Sequence, residues 1–315
     1  MPLWQKPHAD AGLVRPMAFA GAWYPRETEA CRAAITQYAA GSPPSKRPSA
    51  PGAPLMGVVP HAGWAYSGAL AGAVFANLGR SPGRNPPTLA VVLGGHLGAW
   101  DEVVAIEEGQ GLAHWQTPLG PLKLHTGFHP ALRRMGGVRW EAALGGRGAQ
   151  SRPDNSVELQ LPFVKYWFPQ AELLPLRVPP SARAMELGRA LAAYLETSGL
   201  EAVVIASTDL THYGPAYGFT PQGTGARALE WVRHENDPAF IGALEQGRPE
   251  EILRVSREHR NACSAGATAM LAELAAVMGA RFEPLAYATS ADVRGGDAPG
   301  GDVENFVGYV GGVCH

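Results

Sequence analysis

The sequence has little of what marks secreted, membrane or nucleic-acid-binding chains. Its 26 basic and 28 acidic residues leave a net charge of −2, and they form no basic stripe of the kind that binds nucleic acid. No apolar run approaches the roughly 20 residues that span a bilayer, and the first residues contain no apolar signal core. We therefore expect a cytoplasmic protein with no nucleic-acid partner and no membrane association.

Cysteine and phosphate-binding motifs are also scarce. The chain has three cysteines, Cys31, Cys263 and Cys314, and this small odd number does not fit a disulfide framework. At least one thiol is therefore free for chemistry. Neither a GxxxxGKS/T motif nor a convincing GxGxxG motif occurs, so no phosphate-binding loop is predicted.

Apolar residues, glycine and proline are abundant. Hydrophobic residues make up 46% and charged residues 17%, which is enough for a sizeable core. The 39 glycines and 28 prolines predict many tight turns. Residues 41–54 and 79–87 are rich in proline and glycine and are predicted to be loops. Neither stretch separates regions of different composition, so we expect a single α/β domain over residues 1–315.

Short apolar runs alternate with amphipathic ones. The pattern predicts strands at residues 55–59, 89–93, 202–206, 282–288 and 306–310, and helices at 67–78, 181–196 and 264–278, with Ser67 and Ser181 as N-caps. Strands that are apolar on both faces and alternate with helices predict a three-layer α/β fold, in which helices cover both faces of a mostly parallel or mixed central sheet. Ligands of such sheets bind at the carboxyl ends of the strands.

Three predicted strands run directly into residues capable of chemistry. The motif VVPHAG places His61 after the first strand, VLGGH places His96 after the second, and IASTDLTHYG places Asp209 and His212 after the third. A single histidine after a strand is more often a hydrogen-bonded loop residue than a ligand. Three such turns at one sheet edge favour a shared site, with His61 and His96 as metal ligands.

A fourth segment, NACSAGA, places Cys263 at the start of a predicted helix. The free N–H groups of a helix N-terminus favour a thiolate, so we expect a lowered pKa for this thiol. A thiolate can bind metal or act as a nucleophile, whereas a free cysteine in a core is usually a small buried hydrophobe. The residues alone leave these alternatives open.

Two further residues are candidates for the wall of the crevice. Glu158 lies in DNSVELQLP, where Asn155 or Ser156 could cap a helix, and its simpler role is that of a capping or surface acid. Trp23 lies in AGAWYP and could line a pocket, although core packing is the simpler role for an aromatic side chain.

Together, the motifs resemble those of a known family. AGAWYP, PHAGWAYSG, LGGH, TPLG, NSVELQLPF, STDLTHYG, NACSAGA and YATS have the order and approximate spacing of the Memo-like family, from about residue 15 to residue 310. The bacterial and archaeal members resemble protein B of the AmmeMemoRadiSam system. The resemblance implies a fold similar to that of class III extradiol ring-cleaving dioxygenases, which are non-haem Fe(II) enzymes.

The resemblance also implies roles for individual residues. His61 and His96 correspond to the two histidine ligands, and Cys263 stands where the dioxygenases have a carboxylate ligand. His212 corresponds to the acid/base histidine. Asp209 is its neighbour, which we expect to orient the His212 ring.

Other motif residues are candidates for the pocket. Tyr66 and Tyr287 lie in the family motifs and join Trp23, Asn155 and Glu158 in this group. Asn155 stands where the family usually has a histidine, between an acidic residue and a serine. This departure indicates a substrate different from that of other members.

Three functions are compatible with these residues. The first is a mononuclear Fe(II) redox enzyme, with Cu or Zn as alternative metals, that acts on a small molecule such as an aromatic compound. The second is a non-catalytic metal-binding or scaffold component that works with a radical-SAM protein and its associated component. The third is a metal-free hydrolase or transferase built on Cys263, His212 and Asp209, which leaves both metal-ligand histidines without a role.

Overall fold

The structure is a computed structural model, and it describes residues 13–42, 45, 53–80, 84–106, 112–141, 153–293 and 303–315. The two predicted loops, at 41–54 and 79–87, lie partly outside these ranges. Apart from Gly79, the last residue of a helix, their described residues belong to no helix or strand. No described helix combines the length and hydropathy needed to cross a bilayer.

Strands and helices alternate through most of the described chain. The strands are β1 (Leu13–Arg15), β2 (Leu55–Val59), β3 (Leu89–Gly94), β4 (Val103–Ile106), β5 (Leu112–Trp115), β6 (Leu122–Lys123), β7 (Val138–Glu141), β8 (Glu172–Arg177), β9 (Ala202–Ser207), β10 (His212–Tyr213), β11 (Phe282–Thr289) and β12 (Phe306–Cys314). The α-helices are α1 (Thr28–Ala40), α2 (Trp64–Gly79), α3 (His129–Met135), α4 (Asn155–Glu158), α5 (Leu161–Trp167), α6 (Ala182–Ser198), α7 (Ala226–Trp231), α8 (Asp237–Glu245), α9 (Pro249–His259) and α10 (Ala265–Val277).

A mixed sheet forms the centre of the fold. Within the described ranges it has nine strands, in the order β10-β12-β2-β9-β3-β8-β4-β7, with β11 paired to β12. The middle of the sheet is parallel, because β9 pairs in parallel with β2 and β3, and β3 does so with β8. The strands β12 and β4 join this parallel part in the antiparallel sense. The prediction of an α/β fold with a mostly parallel or mixed central sheet is confirmed.

Alternate residues of the central strands face two separate hydrophobic cores. In β2, Met56 and Val58 pack into the core that contains buried residues of α6, α9 and α10. Leu55 and Val59 pack on the other side, with buried residues of α1, α2 and α5. Full burial of an aliphatic side chain of this size is worth roughly 1.5–3 kcal/mol, so burial on both faces holds these strands in the middle layer.

Two predicted boundaries are wrong by three residues or more. The strand predicted at 306–310 continues to Cys314 as β12, and the helix predicted at 67–78 starts early. The second helix begins at Trp64, three residues before Ser67, which therefore lies inside α2 and does not cap it. The Ser67 hydroxyl instead donates to the carbonyl of Ala62 at 3.0 Å. The helix starts early because Trp64 is buried and packs against Phe163, with ring centroids 4.4 Å apart. This tertiary contact offsets the absence of a side-chain cap. Ser181 does occupy the N-cap of α6.

Candidate metal centre

His61 follows β2 and is almost fully buried. Its Nδ1 lies 3.1 Å from the hydroxyl of Ser207, at the end of the neighbouring strand β9. The side-chain amide of Gln160 donates to that hydroxyl at 3.1 Å and to the carbonyl of Pro60 at 3.0 Å. The backbone N–H of His61 donates to Oδ1 of Asp209 at 2.7 Å. These contacts fix both the turn and the imidazole plane.

His96 follows β3 after a turn that only glycine fits well. Gly95 has a φ of +109°, a region that L side chains rarely adopt. A Cβ on Gly95 would lie 2.7 Å from Cβ and 3.1 Å from Cα of Arg177. The Gly95 N–H donates to Oγ of Ser156 at 2.7 Å, which anchors the turn to α4.

The two imidazoles meet edge to face. Nε2 of His96 lies 3.2 Å from Nε2 of His61, with the ring planes at 79° to each other. Nδ1 of His96 points the other way and lies 4.0 Å from Oδ2 of Asp154. Each histidine therefore presents Nε2 to the shared space.

Cys263 comes from the opposite end of the sequence and completes the group. Its Sγ lies 3.1 Å from Nε2 of His61. Asp209 and Cys263 are joined by two backbone contacts, since the Asp209 N–H donates to Sγ at 3.2 Å and the Cys263 N–H donates to the Asp209 carbonyl at 3.1 Å. The hydroxyls of Thr208 and Ser264 lie 3.8 Å and 3.9 Å from Sγ. Because the Thr208 hydroxyl donates to the Asp209 carbonyl at 2.9 Å, the clear donor to the sulfur is the Asp209 N–H.

The spacing of the three side chains suits a metal ion. The ligand atoms of His61, His96 and Cys263 all lie within 4.8 Å of one another, and no second group of this kind occurs in the described residues. In a tetrahedral site with metal–nitrogen bonds of about 2.0–2.1 Å and metal–sulfur bonds of about 2.3 Å, neighbouring ligand atoms are roughly 3.3–3.6 Å apart. The observed separations of 3.2 Å and 3.1 Å are close to this range.

Burial sets the protonation of these side chains. It lowers the pKa of His61 to about 3, and burial, together with the repulsion between the two imidazoles when both are protonated, lowers the pKa of His96. Both imidazoles are therefore neutral at neutral pH, the form that binds metal. Burial raises the pKa of Cys263 to about 12, so the expected lowering is wrong for the metal-free protein. The loss of hydration outweighs the N–H donors, and Cys263 precedes the N-cap Ser264 instead of lying in the first turn.

His212 lies in β10, three residues after Asp209, whose backbone N–H binds the Cys263 sulfur. Nδ1 of His212 donates to the carbonyl of Leu210 at 3.1 Å, and the ring packs edge to face against Tyr217 at a centroid distance of 5.1 Å. Because Nδ1 carries the proton, Nε2 is free to accept one.

Asp209 does not orient the His212 ring, so this expectation is wrong. Among the described residues the Asp209 carboxylate makes no hydrogen bond to His212. It accepts from the backbone N–H groups of His61 and Ala62, while the Leu210 carbonyl binds the His212 ring. The physical reason is that the backbone N–H groups of the turn after β2 lie within hydrogen-bond distance of the Asp209 carboxylate. Burial raises the pKa of Asp209 to about 6.

Two of the predicted pocket residues bind backbone groups. Asn155 donates from its side-chain amide to the His61 carbonyl at 3.0 Å. Glu158 is 2% exposed, and its Oε1 accepts from two backbone N–H groups of the N-terminal segment, at 2.7 Å and 2.8 Å, and from the Tyr24 hydroxyl at 2.9 Å. Burial raises the pKa of Glu158 against these hydrogen bonds. Glu158 thus ties the N-terminal segment to α4.

The three predicted aromatic residues differ in exposure. Trp23 and Tyr66 are 40% and 52% exposed, and the Trp23 carbonyl accepts from the N–H of Trp64, near the His61 turn. Tyr287 is half-buried, and its hydroxyl donates to the buried carboxylate of Asp237 at 2.8 Å. Trp23 and Tyr66 are therefore available to a ligand, whereas the Tyr287 hydroxyl already has an internal partner.

Several residues that shape the site were not predicted from the sequence. They are Asp154, Gln160, Ser207 and Tyr217. For the first two a signal was present, because DNSVELQ places polar side chains among apolar ones in a segment that is buried from Ser156 onward. For Ser207 and Tyr217 the sequence offers no comparable signal.

Comparisons with known proteins agree with the motifs. The family model described as Memo-like protein matches residues 15–313. A MEMO1 family protein of Methanopyrus kandleri is 32% identical over 312 residues, covering 95% of this chain and 98% of the relative. One from Methanothermobacter thermautotrophicus is 28% identical over 306 residues, covering 95% and 99%. A crystal structure of an uncharacterized protein from Escherichia coli matches with a TM-score of 0.39 and 14% identity, over 74% of this chain and 90% of that one. This chain belongs to the Memo-like protein family.

Proposed function

We propose that this protein is a mononuclear non-haem Fe(II) redox enzyme whose metal is held by His61, His96 and Cys263. The observation that supports this proposal is the convergence of the three ligand atoms within 4.8 Å. Two imidazoles and one anionic ligand leave coordination positions free for a substrate and dioxygen, and this is the chemistry that Fe(II) supplies when bound. A thiolate is a soft ligand, so Cu or Zn are the alternative metals.

His212 is the proton-transfer residue in this proposal. Its Nδ1–H is held by the Leu210 carbonyl, so Nε2 is the atom that accepts a proton from a substrate. Asp209 acts differently, as a positioning residue. Its carboxylate holds the His61 turn and its backbone N–H holds the Cys263 sulfur, which links two ligands through one residue.

Exposed aromatic side chains near the metal group favour a small aromatic substrate. Tyr66 and Trp100 lie five and four residues after His61 and His96, and Tyr217 packs against His212. Trp23 lies near the His61 turn, since its carbonyl accepts from the Trp64 N–H. Such side chains bind planar ligands through offset stacking and edge-to-face contacts. Trp100 is fully exposed and lies four residues after His96, in a turn closed by the Gly98 N–H and the Asp101 carboxylate at 2.6 Å.

The contacts of Cys263 and His212 do not support a metal-free hydrolase or transferase. That mechanism needs a base hydrogen-bonded to the Cys263 thiol and an acid that orients the base. The imidazole at Cys263 is that of His61, whose Nδ1 contacts the neutral hydroxyl of Ser207. His212 makes neither contact among the described residues. The non-catalytic alternative, including an association with a radical-SAM protein, is an outcome of the experiment below.

The experiment is anaerobic loading with Fe(II), followed by oxygen-uptake assays on a panel of catechols. We expect oxygen uptake with at least one catechol, its loss in His61→Ala with loss of the metal, and a decrease of about 10²–10⁴-fold in His212→Gln with the metal retained. Uptake that stays at the background rate while iron is bound would contradict the redox proposal. That result, with a radical-SAM protein in co-purification, would support the scaffold role instead.

A further inference from the structure

One short segment contacts both histidine-bearing turns. Residues 154–160 include α4, and their side chains reach the turns after β2 and β3. Asn155 and Gln160 donate to the carbonyls of His61 and Pro60, at 3.0 Å each. Ser156 accepts from the N–H of Gly95 at 2.7 Å. The segment is therefore hydrogen-bonded to both ligand-bearing turns, and its first residue is the acid Asp154.

We propose that Asp154 is the positioning residue of His96: its carboxylate, 4.0 Å from Nδ1, favours the tautomer with the proton on Nδ1 and the Nε2 lone pair toward His61 and Cys263. The inference rests on the proposed metal site for its functional meaning. Its structural content, the tautomer of His96, can be measured without any metal.

The two oxygens of the Asp154 carboxylate have different partners: Oδ1 binds Ser156, and Oδ2 faces His96. Oδ1 accepts from the N–H of Ser156 at 2.9 Å, as the N-cap of α4, and from the Ser156 hydroxyl. Oδ2 lies 4.0 Å from Nδ1 of His96. Because Ser156 also binds the N–H of Gly95, the acid and the turn before His96 belong to one hydrogen-bonded unit.

Two neighbours favour the ionised form of this carboxylate. Oδ2 of Asp154 lies 3.5 Å from Nη1 of Arg177, whose Nη2 pairs with Glu141. Oδ1 accepts from the N–H and the hydroxyl of Ser156, and hydrogen bonds to a carboxylate, like a nearby guanidinium, favour its ionised form. An ionised carboxylate accepts hydrogen bonds and donates none, so it favours an N–H and disfavours a lone pair on the facing nitrogen of His96.

The other side of the His96 ring does not require a proton. Nε2 of His96 lies 3.2 Å from Nε2 of His61, a contact that needs one proton. His61 can supply it, because the Ser207 hydroxyl can donate to Nδ1 of His61 and leave the His61 proton on Nε2. The Asp154 carboxylate is then the group that decides the His96 tautomer.

The second imidazole is held by neutral groups, which provides an internal comparison. Nδ1 of His61 contacts the hydroxyl of Ser207, and that hydroxyl is held by the amide of Gln160. Neither partner is ionised. Removal of the charge at Asp154 should therefore act directly on His96, and on His61 only through the contact between the two Nε2 atoms.

The test is Asp154→Asn, with Glu158→Gln as the matched control. Both substitutions convert an acid of the same segment into its amide, and Glu158 contacts no metal-ligand side chain among the described residues. The first readout is the pair of ring ¹⁵N shifts of His96 in the metal-free protein near neutral pH. We expect Nδ1–H in the wild type and in Glu158→Gln. In Asp154→Asn we expect a shift toward Nε2–H, because the new amide N–H can donate to Nδ1.

The second readout is affinity for Zn(II). We expect Asp154→Asn to weaken binding about 10–100-fold, the usual effect of removing a carboxylate behind a histidine ligand, and Glu158→Gln to change it less than twofold. An Nε2–H tautomer in the wild type would overturn the proposal, even if the variant does not fold. Equal losses of affinity in both variants would also overturn it, since they would show general damage to the segment. If the wild type binds no metal, the proposed function fails, while the ¹⁵N shifts still decide the role of Asp154.

Discussion

Metal binding should release one proton, and that proton should come from Cys263. In the free protein the pKa of His61 is about 3 and that of His96 is lowered, so neither imidazole carries a proton to lose at neutral pH. The Cys263 thiol, with a pKa of about 12, is protonated and must ionise to bind a metal. Because binding displaces a proton, affinity rises with pH. The expected slope is tenfold per pH unit, or about 1.4 kcal/mol, from neutral pH to mildly alkaline pH.

The assay is isothermal titration calorimetry with Zn(II) in buffers of different ionisation enthalpy, repeated across this pH range. The dependence of the observed enthalpy on the buffer gives the number of protons released. We expect a value of one for the wild type and zero for Cys263→Ala. Release of no proton by the wild type would show that the thiol is not the ligand or is already ionised. Release of two or three would show that the imidazoles are charged in the free protein.

Two predictions concern the framework around the metal group. Gly95→Ala should lower the free energy of unfolding by more than about 1 kcal/mol, because a Cβ at φ +109° would also press on the backbone of Arg177. Urea denaturation measures this loss, and Gly136→Ala is the control, since Gly136 has a positive φ but open space around its Cβ position. Equal losses in both variants would refute the packing argument. Tyr24→Phe removes a hydrogen bond to Glu158 and should cost about 1 kcal/mol with metal affinity unchanged; a weaker metal affinity would contradict the assignment of Glu158 to the N-terminal segment.

Part of the sheet could be predicted from the sequence, because β2, β3 and β9 are short apolar runs with clear ends, whereas β4, β7, β8 and β10 were not predicted. The strand β2 covers the residues predicted for it, and β3 and β9 each extend one residue further. The early start of α2 could not be predicted, since it depends on the contact between Trp64 and Phe163, which are far apart in the chain. Local propensity gave the type of each predicted element, and tertiary packing moved this boundary.

The candidate site was predictable to the extent that it follows from strand ends. His61 and His96 follow parallel strands, and the resemblance to the Memo-like family added Cys263. The supporting residues were less visible, because Asp154 and Gln160 act on turns that lie about 60–100 residues away in sequence. The predicted lowering of the Cys263 pKa was wrong for a related reason. A helix start is visible in a sequence, whereas the burial that raises the pKa of this thiol is a property of the folded chain.

The most direct test of the metal centre is the metal content of protein purified anaerobically and loaded with Fe(II). We predict one metal ion per chain in the wild type, and its loss in His61→Ala and in His96→Ala. Glu158→Gln, which alters a buried acid outside the ligand group, should retain the metal. A wild-type protein that holds no metal after loading, or two histidine variants that both retain it, would contradict the assignment of His61 and His96 as ligands.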